Sequence, residues 1–584
     1  MKYTKCFIDK NYPRPSFTRP NYQLLNGEWD FAFDEKDELS KNRKFLKTEF
    51  SHKIIVPYAY NTKESGINID KFCSVVWYKK EFETKNLNKR AILHFDGVDY
   101  KVEVYLNGQF IGSHKGGYTR FSFDITNVVK KNNTLIVKCI DYKDPELPRG
   151  KQRWTYTNFS CFYEETTGIF KSVWVEYVSE FYLKKVDQDI LFEEDSVKYT
   201  YHVNKFKSGL KLNIKVLFQD KLLKNIDEHL TSLRGSLTIS LLNNDKILPM
   251  KFWSPGNPNL FDVIYTLYDG EKVIDQVGSY SSLVRFNATN NILKLNYWPT
   301  LYLKMILHQG YYPNKGLSGD FEDFEKDIKL LKEMGFNGVR LHQKIEDERF
   351  HYLCDVYGLV TWIEMPSNYV FSTFSLEENI HTWLEVLKQY RNFVSTMAFV
   401  IYNESWGIMH VSENEREQLA TTGLYDLTKA LVPNRMVISN DGWEHTKTDI
   451  LTTHNYAQSK ENIAKAYDDV DFFANSFRTH PSTRVAFADN FLYSNQPIIV
   501  SECGGISLQK QKEDKNWGYG KDAENVNEFY QRLEGIVSAI RENPHLSGYC
   551  ITQIRDVRQE TNGLMYEDGQ LKFDINKIKE IISK

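Results

Sequence analysis

Two glutamates follow short apolar runs in the C-terminal half of this chain. Glu404 comes after residues 398–402 (AFVIY) and Asn403, and Glu502 comes after residues 498–500 (IIV) and Ser501. Such runs are typical of strands buried on both faces. Two carboxyl groups at matching strand ends suit glycosidic bond hydrolysis, in which one donates a proton and the other attacks or activates water. The alternative is that each strand ends in an ordinary turn, where Asn and Glu are common.

The elements around these glutamates alternate between strand and helix from about residue 292 onward. This alternation predicts a (β/α)8 TIM barrel, whose active site lies at the C-terminal ends of its strands. Glu404 then closes the fourth strand and Glu502 the seventh, so both face one bowl. The predicted strands cover residues 302–307, 338–341, 359–363, 398–402, 436–439, 450–453, 498–501 and 549–552. The helices predicted between them include residues 321–334, 376–393, 416–431 and 524–542.

The N-terminal half alternates with a period of two residues instead. Residues 21–178 contain short alternating runs, and the pair Asn107-Gly108 after one of them is a strong hairpin signal. This pattern predicts a jelly-roll-like β-sandwich, whose role is either accessory sugar binding or structural. Residues 180–288 alternate again and predict a smaller immunoglobulin-like β-sandwich that acts as a spacer. We therefore expect domains at residues 1–180, 181–288 and 289–584.

Composition excludes several classes of function. The 584 residues carry 74 Lys+Arg against 77 Asp+Glu, a net charge of -3, so no basic excess favours nucleic acid as a partner. The sequence has neither a leader-like apolar core at its start nor an apolar run long enough for a membrane span, and we expect a cytoplasmic protein with no membrane partner. Its 7 cysteines form no CxxC pair and indicate reduced, mostly buried thiols. We expect no cofactor and no metal ion.

The chain resembles glycoside hydrolase family 2, the group of β-galactosidases, β-glucuronidases and related exo-glycosidases, over almost its whole length. Asn403-Glu404 and the segment 502–504 (ECG) are similar to the two catalytic motifs of that family. The segment 253–255 (WSP) is similar to the end of its immunoglobulin-like domain. Further similar segments lie in the first sandwich, at residues 26–29, 106–112, 116–118 and 168–174.

The resemblance implies a retaining mechanism with Glu404 as general acid/base and Glu502 as nucleophile. Glu404 should then have a raised pKa, and Glu502 should stay ionised beside a cation or hydrogen-bond donors. Arg340 matches the arginine of strand two and is expected to supply that cation. Tyr456 aligns with the tyrosine that contacts the nucleophile, and Asn403 would bind the sugar 2-hydroxyl. The family also implies a homo-oligomer, a dimer or a tetramer.

Glu364 and Asp441 are candidate substrate contacts because they end the third and fifth strands, and His342, Lys344 and Gln553 are candidates because they lie in segments that depart from the motifs of the family. The alternatives are an ordinary loop acid for Glu364 and Asp441, packing against the barrel rim for His342 and Tyr456, and a structural ion pair of the rim for Arg340. Where relatives carry Ser/Thr-His-Tyr-Pro after the strand-two arginine, this chain has residues 341–344 (LHQK), and where many place a tryptophan platform it has residues 551–553 (ITQ). The glucuronidase motif Asn-x-Lys is not evident, since residues 562–564 read NGL.

These departures leave the glycone open. The expected function is a retaining exo-β-glycosidase that is β-galactosidase-like and acts on a small carbohydrate substrate. One alternative is a β-glucuronidase or another enzyme of the family, and the pair Arg340 and Lys344 favours an acidic sugar. A second alternative is a non-catalytic carbohydrate-binding protein that keeps the fold.

Overall fold

The chain folds into two β-sandwiches followed by a barrel, as the sequence pattern predicts. The computed structural model describes residues 3–242, 251–297, 300–475, 484–510, 513 and 515–584. Each region has its own hydrophobic cluster, and the barrel holds the largest of the three. No helix within these described ranges is both long and apolar enough to cross a membrane.

The first sandwich packs two antiparallel sheets face to face. Their orders are β1-β12-β5-β9 and β3-β2-β4-β10-β7-β8, and a short β6–β11 pair lies beside them. The predicted hairpin is present, because Asn107 and Gly108 alone connect β7 to β8, with φ angles of 51° and 79°. The strands are β1 (Tyr22–Leu24), β2 (Gly27–Phe33), β3 (His52–Val56), β4 (Val75–Glu83), β5 (Arg90–Phe95), β6 (Val98–Asp99), β7 (Lys101–Leu106), β8 (Gln109–Lys115), β9 (Phe121–Asp124), β10 (Asn132–Ile140), β11 (Gly168–Ile169) and β12 (Val173–Val178).

The second sandwich is the predicted immunoglobulin-like domain. One sheet has the order β13-β14-β17 and the other β16-β15-β20-β21, and their alternating inward residues form the core. A hairpin of β22 and β23 leads into the barrel. The strands are β13 (Leu183–Leu191), β14 (Ser196–Val203), β15 (Leu210–Phe218), β16 (Lys221–His229), β17 (Arg234–Ser240), β18 (Trp253–Ser254), β19 (Asn257–Pro258), β20 (Phe261–Asp269), β21 (Lys272–Ser281), β22 (Phe286–Thr289) and β23 (Ile292–Leu295).

The third region is the predicted TIM barrel. Its parallel strands have the order β28-β27-β26-β25-β24-β31-β30-β29, and β28 and β29 touch without forming a ladder in the part of the chain that is described. The strands are β24 (Leu303–His308), β25 (Gly338–Leu341), β26 (Val360–Glu364), β27 (Thr396–Asn403), β28 (Met436–Asp441), β29 (Leu451–Asn455), β30 (Ile498–Gly504) and β31 (Leu546–Thr552). The helices are α1 (Phe321–Glu333), α2 (Glu348–Tyr357), α3 (Thr373–Tyr390), α4 (Glu415–Leu431), α5 (Lys460–Ala466), α6 (Val470–Asn475), α7 (Val526–Glu542) and α8 (Ile575–Ser583).

Local sequence explains why the barrel elements begin where they do. Asp320 and Asp323 form a reciprocal capping box at the start of α1, and Asn525 caps α7 through the backbone N–H of Glu528. Every residue of β27 is buried, which is why its sequence reads as a continuous apolar run. The predicted strand and helix ends differ from the observed ones by at most three residues.

Side-chain contacts across domain boundaries join the three regions. Arg19 pairs with Glu176 of the first sandwich at 3.0 Å and with Asp275 of the second at 2.8 Å. The first sandwich also packs on α3 of the barrel, where His114 lies 3.2 Å from Glu385. These contacts hold the two sandwiches to each other and the first sandwich to α3 of the barrel.

Candidate active site

Glu404 lies directly after β27, where the backbone turns sharply. Glu404 and Ser405 both adopt left-handed conformations, with φ angles of 52° and 59°, which non-glycine residues rarely adopt. The backbone N–H of Glu404 donates to the Asp441 carbonyl at 2.9 Å, and the N–H of Ser405 donates to Asn440 Oδ1 at 3.0 Å. This turn presents the Glu404 carboxyl at the barrel mouth, where 21% of the side chain is exposed.

Glu502 lies within β30 and is buried, and donors hold both of its carboxylate oxygens. Arg340 Nη1 donates to Oε1 at 2.8 Å, and the Tyr456 hydroxyl donates to Oε2. Burial raises the pKa of Glu502, but the charges of His454 and Arg340 outweigh burial and lower it. Glu502 is therefore an ionised carboxylate with a fixed orientation.

The two carboxyl groups approach each other closely. One oxygen of Glu404 and one of Glu502 lie within 4.8 Å of each other. Retaining glycosidases place their carboxyl groups about 5 to 5.5 Å apart, whereas inverting enzymes leave room for a water at about 6.5 to 9.5 Å. The observed approach therefore fits direct attack on a sugar by one of the two.

His454, at the end of β29, lies between the carboxylates. Its Nδ1 is 2.7 Å from Glu404 Oε1 and 3.5 Å from Glu502 Oε2, and its Nε2 is 3.3 Å from Asp441 Oδ1. Burial lowers its pKa, but Glu502, Asp441 and Glu404 together raise it to about 10. The imidazole is thus a cation that donates to a carboxylate from each ring nitrogen.

This histidine reverses one expectation about Glu404. Burial raises the pKa of Glu404, but the hydrogen bond and charge of His454 outweigh burial and lower it to about 2. The expectation of a raised pKa is therefore wrong, because the proton needed by an acid resides on the neighbouring imidazole. Sequence reasoning treated residues 454–456 only as the context of Tyr456, although a histidine at a barrel strand end is itself a signal.

Arg340 has no exposed surface and organises the base of the site. Its Nε donates to Glu364 at 2.9 Å, and its Nη2 donates to Asn403 Oδ1 at 2.6 Å. It thereby places a cation beside Glu502, as expected, and orients the Asn403 amide. Because Arg340 is fully buried and its guanidinium donates to Glu364, Glu502 and Asn403, we propose that it positions the site without touching a sugar.

Glu364 and Asp441 are fully buried behind the two central carboxylates. Glu364 accepts from the Gln343 backbone at 3.1 Å, and burial, opposed by Arg340, raises its pKa to about 7. Asp441 lies 3.1 Å from Arg340 and accepts from the Ser501 hydroxyl. These carboxyl groups face protein donors, so we assign them supporting roles in place of the expected sugar contacts.

The other predicted contacts divide into two groups. His342 lies at the site, 3.0 Å from Glu364, and burial, Lys151 and Arg340 lower its pKa, so that it is neutral. Lys344 faces away and donates to Gly310 O, Leu317 O and Glu346, at 2.8, 2.8 and 2.7 Å. We therefore propose a structural role for Lys344 in place of the expected substrate contact, because three protein acceptors already satisfy the three donors of its ammonium group.

Gln553 also forms its hydrogen bonds within the protein. It accepts from Gln309 and donates to Asn562, both at 2.8 Å. Gln309 in turn donates to Glu560 at 3.1 Å, and Tyr163 of the first sandwich donates to the same carboxylate. Gln553 is therefore part of a network that connects the barrel to the sandwich. We propose that it supports this network in place of contacting the sugar.

Aromatic rings form a wall beside Glu404. Trp406 Nε1 donates to Glu404 Oε2 at 3.3 Å, and its ring lies 5.3 Å from Phe162 and 5.2 Å from Tyr369. On the other side, Tyr519 stacks on Tyr456. Flat apolar faces next to hydrogen-bonding groups are suited to sugar rings, which present both C–H and O–H groups.

Part of this wall comes from the first sandwich. Residues 141–167, between β10 and β11 and here called the bridging loop, extend over the barrel mouth and carry Phe162. The backbone N–H groups of Arg149 and Gly150 both donate to Ser367 O at 3.0 Å, and the Tyr369 hydroxyl donates to Gly150 O. Sequence reasoning missed this loop because nothing local shows which surface it contacts.

A cavity of about 760 Å3 lies between the bridging loop and the loops of the barrel. The bridging loop lines one side, with residues such as Tyr156 and Phe159, and barrel loops that include Trp517 line the other. The Trp517 ring lies 5.4 Å from that of Tyr519, so the cavity adjoins the aromatic rings over the site. The catalytic candidates do not line it themselves.

Comparison with known proteins agrees with this architecture. The sugar binding domain model of glycosyl hydrolases family 2 matches residues 22–175, a second model of the family matches residues 182–281, and its TIM barrel domain model matches residues 290–584. The chain belongs to glycosyl hydrolase family 2.

Curated relatives are about a quarter identical to this chain over the aligned residues. A putative β-glucuronidase from Formosa agariphila is 25% identical over 73% of this chain and 51% of its own length. A β-galactosidase from Thermoanaerobacter pseudethanolicus is 26% identical over 59% of this chain and 44% of its own length. The chain thus spans about half the length of these curated relatives.

Solved structures of family 2 share the fold. A β-galacturonidase from Eisenbergiella tayi bound to galacturonate aligns with a TM-score of 0.76 and 18% identity, over 97% of this chain and 98% of that one. A β-glucuronidase from Bifidobacterium dentium aligns with a TM-score of 0.78 and 18% identity, over 98% of each chain. At this identity the alignments establish the fold, and the substrate has to be argued from the site.

Proposed function

We propose that this protein is a retaining exo-β-glycosidase, with Glu502 as the nucleophile and Glu404 as the general acid/base. The observation that supports this assignment is the close approach of two carboxylates whose surroundings differ. Glu502 is buried and held by Arg340 and Tyr456, which suits attack from a fixed direction. Glu404 is partly exposed and hydrogen-bonded to a protonated imidazole, which suits proton transfer.

In the first step a Glu502 oxygen bonds to the anomeric carbon as the bond from that carbon to the leaving oxygen breaks. Glu404 donates a proton to that oxygen, and the His454 imidazolium supplies the proton through their 2.7 Å hydrogen bond. In the second step Glu404 takes a proton from water, whose oxygen bonds to the anomeric carbon and releases Glu502. Two inversions at this carbon retain its configuration.

Asn403 is the proposed contact to the sugar 2-hydroxyl. Arg340 holds its Oδ1 at 2.6 Å, which fixes the amide plane at the edge of the site. A hydrogen bond to the 2-hydroxyl strengthens as positive charge develops on the ring, so it favours the transition state over the bound substrate.

The proposal also covers the glycone, which is the sugar that the enzyme removes. Relatives named as β-galactosidases and as β-glucuronidases both match the chain, so a galactoside and a uronide are the leading candidates. A panel of 4-nitrophenyl glycosides in both anomeric forms tests them, with wild type beside Glu502→Ala. We expect turnover of one β-glycoside and loss of that turnover in the variant.

The same panel tests the alternative of a carbohydrate-binding protein. Failure of wild type to cleave every glycoside, combined with measurable sugar binding, would favour that alternative. Turnover that survives in Glu502→Ala would instead contradict the assigned nucleophile.

A further inference from the structure

The positively charged side chains around the site differ in whether protein acceptors already take up their hydrogen-bond donors. Arg340 donates to Glu364, Glu502 and Asn403. Lys344 has three protein acceptors, and His454 lies between carboxylates. Protein acceptors therefore already take up the donors of these three side chains.

Lys151 of the bridging loop is different. Its ammonium nitrogen lies 5.6 Å from the centre of the Phe162 ring and interacts with the Cys161 thiol. Among the residues that the structure describes, no carboxylate oxygen lies within 4.0 Å of this nitrogen. Burial lowers the pKa of Lys151, but Cys161, Glu560 and Glu404 outweigh burial and raise it, so that the group is charged.

The position of Lys151 is fixed by its neighbours along the chain. Gly150 is anchored to the barrel through Ser367 and Tyr369, and the Lys151 carbonyl accepts from the Tyr163 N–H at 2.9 Å. Its charge acts on both Glu404 and His342, lowering the pKa of each. The loop therefore holds a charged, half-buried lysine at the sugar site without a carboxylate partner.

We propose that Lys151 binds the carboxylate of a uronic acid glycone, so that the substrate is a β-uronide. This inference rests on the proposed function and names its substrate class. A cation removed from water is stabilised when it binds an anion, and charge-assisted hydrogen bonds to a carboxylate are among the strongest available. The C5 carboxylate is the group that distinguishes a uronide from the matched neutral hexoside.

The test compares substrate pairs that differ only at C5. Wild type, Lys151→Met and Lys151→Arg are assayed on 4-nitrophenyl β-glucuronide against β-glucoside, and on β-galacturonide against β-galactoside. We expect wild type to prefer one uronide, and Lys151→Met to lower the uronide-to-hexoside ratio of kcat/KM by about 10- to 100-fold. Lys151→Arg should recover part of the ratio, because it restores the charge.

Lys143→Met is the matched control, since Lys143 belongs to the same loop but lies against the Phe72 and Tyr156 rings. It should leave the ratio unchanged. An unchanged ratio in folded Lys151→Met, or a wild-type preference for neutral hexosides, would overturn the inference.

A binding measurement separates this inference from the catalytic proposal. Calorimetry with Glu502→Gln compares D-glucuronate and D-galacturonate with their methyl esters, which lack the charge. Tighter binding of the free acids that Lys151→Met abolishes supports the inference even if no glycoside is hydrolysed. Equal binding of acid and ester overturns it, whatever the turnover.

Discussion

At the scale of single residues, the site depends on how protons are distributed over a few buried groups. Glu404, Glu502 and Asp441 all face one imidazole, and Arg340 supplies a second positive charge. Groups this close titrate as a unit. The protonation state of each carboxylate therefore depends on its neighbours more than on whether it is an Asp or a Glu.

Replacing His454 with Gln should change the pH dependence of catalysis. In wild type the His454–Glu404 pair retains its proton until pH rises toward about 10, the raised pKa of the imidazole. Without the imidazole, Glu404 alone must hold that proton, and a carboxyl group releases it at lower pH even when burial raises its pKa. We expect the alkaline limb of kcat/KM to move down by several pH units, which a pH profile of both proteins would show.

An unmoved alkaline limb in a folded variant would contradict proton sharing. Stability provides a second readout with a defined sign. Because the pKa of His454 is raised from 6.5 to about 10, its contribution to stability is complete below about pH 6.5 and is lost as pH rises through about 10. The difference in melting temperature between wild type and His454→Gln should therefore shrink toward alkaline pH.

Alanine at Glu404 and at Glu502 should each lower turnover by several orders of magnitude. Azide should rescue Glu502→Ala to an α-glycosyl azide, because the small anion attacks the anomeric carbon from the face where the nucleophile is missing. The measurement is kcat with and without azide, with the anomer of the product identified by NMR. An α-glycosyl azide from Glu404→Ala together with a β-glycosyl azide from Glu502→Ala would exchange the two roles, because azide gives the β-anomer only when it attacks a covalent intermediate that the nucleophile has already formed.

At the scale of elements, the position of the bridging loop depends on its close packing against the barrel. Gly150 has a φ of 62°, and a Cβ atom there would lie 2.1 Å from the backbone oxygen of Gln343. Gly66 has a φ of 81° but nothing within 4 Å of a Cβ position. Both glycines adopt a positive φ, which strains any other residue but not glycine, and they differ in contact with the barrel.

Gly150→Ala should therefore be more damaging than Gly66→Ala. Both changes place an L-residue at positive φ, at a cost of about 1 kcal/mol, but only the first also forces the loop away from the barrel. We expect about 1 to 3 kcal/mol of extra destabilisation, together with reduced kcat/KM. Denaturant unfolding and turnover measurements on both variants check this. Equal effects would mean that the bridging loop can shift to accommodate the added methyl group.

Sequence patterns predict elements well and their contacts poorly in this chain. The barrel strands are recognisable because burial on both faces requires continuous apolar runs, and Glu404 and Glu502 are found because strand ends of a barrel converge. Lys344 was expected at the site from its place after β25, but its side chain turns to carbonyls of neighbouring loops. Lys151 and Trp406 were missed, since their roles depend on how the bridging loop packs against the barrel.

At the scale of the whole molecule, Arg19 joins the two sandwiches. It is 4% exposed and pairs with Glu176 and Asp275, whereas Arg90 is partly exposed and pairs with Asp124 and Glu180 on the surface. Removing one member of a buried ion pair leaves charges without a partner, which costs far more than losing a solvated pair.

Arg19→Met should destabilise the protein by about 3 to 5 kcal/mol, and Arg90→Met by about 1 kcal/mol or less. Calorimetry should also show the transitions of the sandwiches separating in Arg19→Met, because the shared contact between them is lost. A single unshifted transition would mean that other contacts hold the two domains together.

The origin of the bridging loop has a consequence for how new specificities arise in such a protein. The groups proposed to break the bond all belong to the barrel, whereas the lysine proposed to recognise the substrate belongs to a different domain. Substitutions in the loop can therefore change which sugar is accepted without altering the residues that perform the reaction. Exchange of residues 141–167 between family members is accordingly a direct route to enzymes with the same chemistry and a different substrate.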